Sequence, residues 1–125
     1  MSVAAGNQNR AIAVVVRELI ASYLDREGFD AVAKPYHPRI SDSLDHTFAP
    51  DVAGLPGVHL DVSSRLTHRL AVDLDGARRA GAINGAEVSA FVQYRSNKDI
   101  SESFVILGLD HFTRLVRGDH LRPPP

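Results

Sequence analysis

The stretch Asp51-Val-Ala-Gly-Leu-Pro-Gly-Val-His-Leu-Asp-Val-Ser63 constrains this chain more than any other. Two β-branched runs flank a Pro-Gly turn, which is the signature of a β-hairpin. A three-residue loop, Leu55-Pro56-Gly57, with Gly57 in the left-handed region pairs the strands so that Asp51 stands opposite Asp61. Period-two alternation then places His59, Asp61 and Ser63 on one face and Val58, Leu60 and Val62 on the other.

Before the hairpin, Ile12, Val15, Val16, Leu19, Ile20, Tyr23 and Leu24 recur at helical spacing and predict a first helix over 9–27. Asn7 or Asn9 caps its start, and Gly28 ends it as a left-handed residue. Phe29–Lys34 reads as a short edge strand, and Lys34–Pro50, broken by three prolines, as a long surface loop. After the hairpin, Leu70, Leu74, Ala77 and Gly81 suit a second helix from Leu70 to Ile83, ended by Asn84-Gly85. Glu87–Tyr94 and Ser103–Leu107 read as strands separated by a polar turn at Arg95–Asp99. Asp110 is expected to cap a last helix holding Phe112, Leu115 and Val116. The order is α-β-β-β-α-β-β-α, an α/β class with a central mixed sheet flanked by helices.

At 125 residues with 44% apolar and 23% charged, the chain suits one compact domain, here 9–118, between an N-terminal tail (1–8) and a Pro-rich C-terminal tail (119–125). No cysteine is present, which removes disulfides, thiol nucleophiles and cysteine-based metal sites and leaves carboxylates and six histidines as ligands. The longest apolar run, Ala11–Val16, is too short to span a membrane, and no signal sequence is evident, so the expected compartment is the cytoplasm. The formal net charge is −1, yet acidic residues outnumber basic ones in residues 1–61 and the balance reverses in 62–125. That asymmetry suits an acidic metal-binding half and a basic half facing nucleic acid.

The hairpin brings two carboxylates, Asp51 and Asp61, face to face. With the carbonyl of Val62 they make the hard oxygen set that Mg²⁺ or Mn²⁺ prefers, a cation able to activate water and to stabilise phosphodiester charge. The competing reading of the same spacing is that the aspartates cap turns or form surface pairs. Other chemistries lack their signatures. There is no G-x-S-x-G elbow for a Ser-His-Asp hydrolase, no phosphate-cradling glycine loop and no histidine spacing for a zinc site.

Pro50-Asp51, then Asp61-Val62-Ser63 ten residues on, resembles the motif of the PD-(D/E)XK nuclease superfamily, whose fold is restriction-endonuclease-like. The wider frame, from Tyr23-Leu24 and Gly28-Phe29 through Gly54-Leu-Pro-Gly57 to Ala77-Arg-Arg-Ala80, Gln93-Tyr-Arg95 and Leu109-Asp-His-Phe112, is similar to small phage Holliday junction resolvase-like proteins. Their hairpin pattern is close to G/P-D-I-x-G-L-P-G-h-h-h-E-V-K, where h is apolar. The resemblance covers residues 9–117 and implies a Mg²⁺-dependent endonuclease that cleaves branched DNA as a homodimer, matching the two equivalent strands of a four-way junction. Asp51, Asp61 and Ser63 would then form the catalytic set, with Asp51, Asp61, Val62 and Glu18 as candidate metal ligands. Arg65, Arg69, Arg95, Lys98 and Lys34 are the candidate DNA contacts.

The chain departs from that pattern at two places. Ser63 replaces the motif lysine, and Asp61 replaces glutamate, shortening the reach by one methylene. In the first helix, the glutamate that such proteins carry six residues before the tyrosine is Arg17 here, with Glu18 beside it. Candidates to supply the missing positive charge are Arg65, Lys34, His59, His68 and Arg95. The alternative reading is a nuclease fold without catalysis, kept as a DNA-binding or protein-interaction module.

Overall fold

The computed structural model describes residues 3–34, 48–63 and 69–122, with side chains from residue 13 onward. Residues 35–47 of the expected long loop Lys34–Pro50, including Tyr36, His37 and His46, lie outside the described residues, as do Arg65 and His68.

Helix α1 runs Val3–Arg26. It begins six residues earlier than the periodicity suggests, so residues 3–8 continue the helix rather than forming a tail, and Asn7 and Asn9 are interior positions rather than caps. Gly28, at φ 106°, closes it: its N–H bonds the carbonyl of Asp25, and that of Phe29 the carbonyl of Leu24, each at 3.1 Å. The buried stripe is narrower than the apolar one. Val16, Ile20 and Ala21 are buried, while Val15 and Leu19 face solvent.

Strands β1 (Val32–Ala33), β2 (Val52–Ala53), β3 (Val58–Ser63), β4 (Val88–Gln93) and β5 (Phe104–Ile106) form one sheet in sequence order. The β3–β4 pair is parallel and the other three are antiparallel. A parallel pair needs a crossover, and helix α2 (Leu70–Ile83) provides it. Helix α3 (Leu109–Arg117) closes the unit, and the tail turns back in a 3₁₀ segment, Asp119–Leu121. The molecule thus has the expected α/β architecture, a five-stranded mixed sheet flanked by three helices in the expected order, consistent with a restriction-endonuclease-like fold.

Every residue of β4 is buried, because helices cover both faces of the sheet. The two faces differ in character. Against α1 lie Val52, Leu60, Ala90 and Val92, an apolar core with Val16, Ile20 and Ala21. The opposite face carries His59, Ser63, Ser89, Phe91 and Gln93, all buried, with Ala77, Ala80 and Gly81 of α2 buried on the same side. Of the residues expected on the inner stripe of α2, Leu70 is exposed instead.

Asp110 does not cap α3. Gly108 holds the cap position, and Asp110 in the first turn makes a bidentate pair with Arg78 of α2, both bonds 2.8 Å. That pair holds the Asp110 carboxyl far below the ordinary carboxylate range. His111 turns inward, where its Nδ1 accepts the Ser89 N–H at 3.0 Å. It thereby satisfies a donor on the stretch of β4 that the three-residue β5 leaves unpaired.

A candidate metal and phosphodiester site on the polar face

The hairpin register follows from its loop. Val52 pairs with Leu60, which sets Asp51 opposite Asp61, and Gly57 adopts φ 67°, a conformation that L side chains rarely adopt. The backbone of His120 packs against Gly57, so the C-terminal 3₁₀ turn braces this loop. Further along the sheet, Ala33 pairs with Val52, and the Lys34 N–H bonds the Asp51 carbonyl at 2.8 Å. Asp61 in turn pairs with Phe91. Lys34, Asp51, Asp61 and Phe91 therefore form one cross-strand row, and all four line a single cleft of about 470 Å³ beneath α2. Val62, Asp73, Arg79, Ala77 and Ala80 complete much of its wall.

Asp51 is buried, and each of its oxygens is occupied. Oδ1 lies 3.2 Å from Lys34 Nζ and 3.5 Å from an Arg17 terminal nitrogen, and Oδ2 accepts the Val62 N–H at 2.8 Å. Asp61 is more open. Its Oδ1 accepts the Asp51 N–H at 3.2 Å, and its Oδ2 lies 3.0 Å from His59 Nε2. Lys34 also donates to the Ala49 carbonyl at 3.2 Å, which ties its ammonium to the segment entering β2.

The other sequence-derived candidates are dispersed. Ser63 is buried, and its hydroxyl donates to Asp73 Oδ2 at 3.2 Å. Glu18 is exposed and lines a different depression, with Ala21, Ser22, Asp25 and β1, so it does not join Asp51 and Asp61. Its neighbour Arg17 reaches the site instead. Arg95 stacks over the Phe104 ring at 4.7 Å, while Arg69 and Lys98 are exposed and absent from the cleft wall. Arg17, Asp73 and Arg79 escaped the sequence reading as site residues. The only signal for any of them was Arg17 at the position where the resolvase-like pattern carries glutamate.

Among the described residues, no three carboxylate or imidazole groups converge on a point where one metal ion could bind. Asp51 and Asp61 do line one cleft, and their chemistry suits a hard divalent cation: oxygen donors, an open cleft, and a buried Asp51 whose charge is balanced by Lys34 and Arg17. Lys34 and Arg17 now supply the positive charge that such an ion would bring to Asp51 Oδ1. Comparison of the chain with protein-family models, with curated proteins and with solved structures gives no match.

Proposed function

We propose that this protein is a divalent-cation-dependent endonuclease for branched DNA, of the phage resolvase type, acting as a homodimer in the cytoplasm. One observation carries the reading: Lys34, the residue that follows β1, stands 3.2 Å from Asp51 in the cleft that Asp61 also lines. The lysine absent from position 63 is thereby replaced, from the end of a different strand, by an ammonium beside the same carboxylates. Asp51, Asp61 and the Val62 carbonyl would hold Mg²⁺ or Mn²⁺. When bound, that ion would supply activation of water and neutralisation of phosphodiester charge.

The chain's own residues have separate tasks in the hydrolysis. Lys34 offers a point charge to a phosphate oxygen as the water oxygen bonds phosphorus, the opposite P–O bond breaks, and a proton from that water ends, by way of solvent, on the leaving oxygen. Arg79 at the cleft wall offers a second, bidentate contact to the backbone. Ser63, engaged with Asp73, steadies the first turn of α2 and leaves the lysine role to Lys34. No helix among the described residues is long and apolar enough to cross a membrane.

Arg17 favours a second reading, a nuclease fold that binds DNA without cutting it. Its guanidinium meets Asp51 where the resemblance would put a third carboxylate. Incubation of the protein with a four-way junction and Mg²⁺ or Mn²⁺, beside Asp61→Ala and Lys34→Met, separates the two. Metal-dependent cleavage lost in both variants supports the enzyme. Junction binding without cleavage by either metal, over a wide protein range, supports the binding module.

A further inference from the structure

His59 is buried, its side chain 1% exposed, and it does not line the cleft, so it is not a cation facing substrate. It lies directly behind Asp61, at a position where the resolvase-like pattern carries an apolar residue. A buried imidazole there is costly unless its nitrogens have partners. Asn84, the residue that ends α2, brings its amide nitrogen within 3.4 Å of His59 Nδ1 and also donates to the Phe48 carbonyl. Its two N–H groups thus satisfy both acceptors. That arrangement makes Nδ1 an acceptor and leaves the ring proton on Nε2, 3.0 Å from Asp61 Oδ2. Among the described residues Nε2 has no other partner: it is buried, and its contact with Asp61 falls short of hydrogen-bond geometry. A small rotation of the Asp61 carboxylate completes the bond.

The helix makes room for this group. A Cβ on Gly81 would strike the Ser89 side chain and come within 3.1 Å of His59 Cβ. Glycine inside a helix is less favourable than alanine, and here it lets α2 approach the imidazole closely. Resting on the metal-site reading above, we infer that His59, oriented by Asn84, is a positioning residue for Asp61. It holds Oδ2 while the Asp51 N–H holds Oδ1, so the carboxylate is presented to a cation at a fixed angle. Through Phe48, Asn84 also ties the end of α2 to the segment entering Asp51.

The test is Mn²⁺ affinity, read from the free-Mn²⁺ electron paramagnetic resonance signal of the full chain, with urea stability in EDTA measured alongside. Loss of a partner behind a metal ligand weakens binding by about 10–100-fold. His59→Leu should sit at the low end of that range, about 10-fold, and His59→Gln, which restores a donor, should recover most of the loss. Asn84→Ala, at an exposed position, should weaken Mn²⁺ binding in the same direction and serves if His59→Leu does not fold. Wild-type Mn²⁺ affinity in Asn84→Ala and in any folded His59→Leu protein, with stability changes alone, would overturn the inference while sparing the metal site. Wild-type protein that holds no more Mn²⁺ than Asp61→Asn overturns the metal site and this inference together.

Discussion

Replacing Lys34 with methionine removes the ammonium beside Asp51 and keeps most of the aliphatic stem. At an effective dielectric of about 20, a pair 3.2 Å apart is worth about 5 kcal/mol before desolvation is counted. Side-chain exposures of 17% and 12% mean that solvent screens this pair only partly. Two partners of Asp51 survive the change, Arg17 at 3.5 Å and the Val62 N–H at 2.8 Å. The cost should therefore fall below the roughly 3–5 kcal/mol of stranding a buried charge outright, at about 1–3 kcal/mol. Urea unfolding in EDTA at pH 7 measures it, and a cycle with Asp51→Asn isolates the pair. The chain then carries a second, coupled expectation: Mn²⁺ should stabilise Lys34→Met more than wild type, because the ion no longer competes with an ammonium for Oδ1. A coupling energy near zero, or equal stabilisation of both proteins by Mn²⁺, would refute the reasoning.

Three further outcomes are expected. His111→Phe keeps the ring but leaves the Ser89 N–H without its acceptor, so urea unfolding should show a loss of about 1–3 kcal/mol. Gly81→Ala should cost a similar about 1–3 kcal/mol by overpacking against Ser89 and His59, with the unfolding slope unchanged. The Asp110 carboxyl is depressed by its bond to Arg78, so its contribution is present above the unfolded value of about 4 and is lost as pH falls toward the folded one. Asp110→Asn should accordingly flatten the stability profile below about pH 4 and leave its shape near neutrality unchanged, as followed by circular dichroism.

The parts of the fold written in short-range chemistry are the parts legible in the sequence. A three-residue loop with one obligatory left-handed residue fixes the register that sets Asp51 against Asp61, and Asn84-Gly85 fixes the end of α2. Periodicity was less decisive in α1, where Val15 and Leu19 share the apolar spacing yet face solvent. An apolar stripe does not say how much of itself a thin sheet can cover. Lys34 stood among five candidate cations because its place depends on a two-residue strand, too short to leave a pattern, pairing Ala33 with Val52. Asp110 fitted the cap rule, but Gly108 holds the cap and Asp110 bonds Arg78 across two helices, a contact no local rule contains.

The row of Lys34, Asp51 and Asp61 has a consequence for how a polyanion meets the cleft. Asp51, Asp61 and Asp73 are matched there by Lys34, Arg79 and Arg17, so the formal charges sum to zero. A pocket of bare carboxylates repels a phosphate backbone until an ion neutralises it. This one carries its own counter-charges, so on the proposed function a phosphate backbone would need no cation to neutralise the cleft before it arrives, and strand binding would be separable from cation binding.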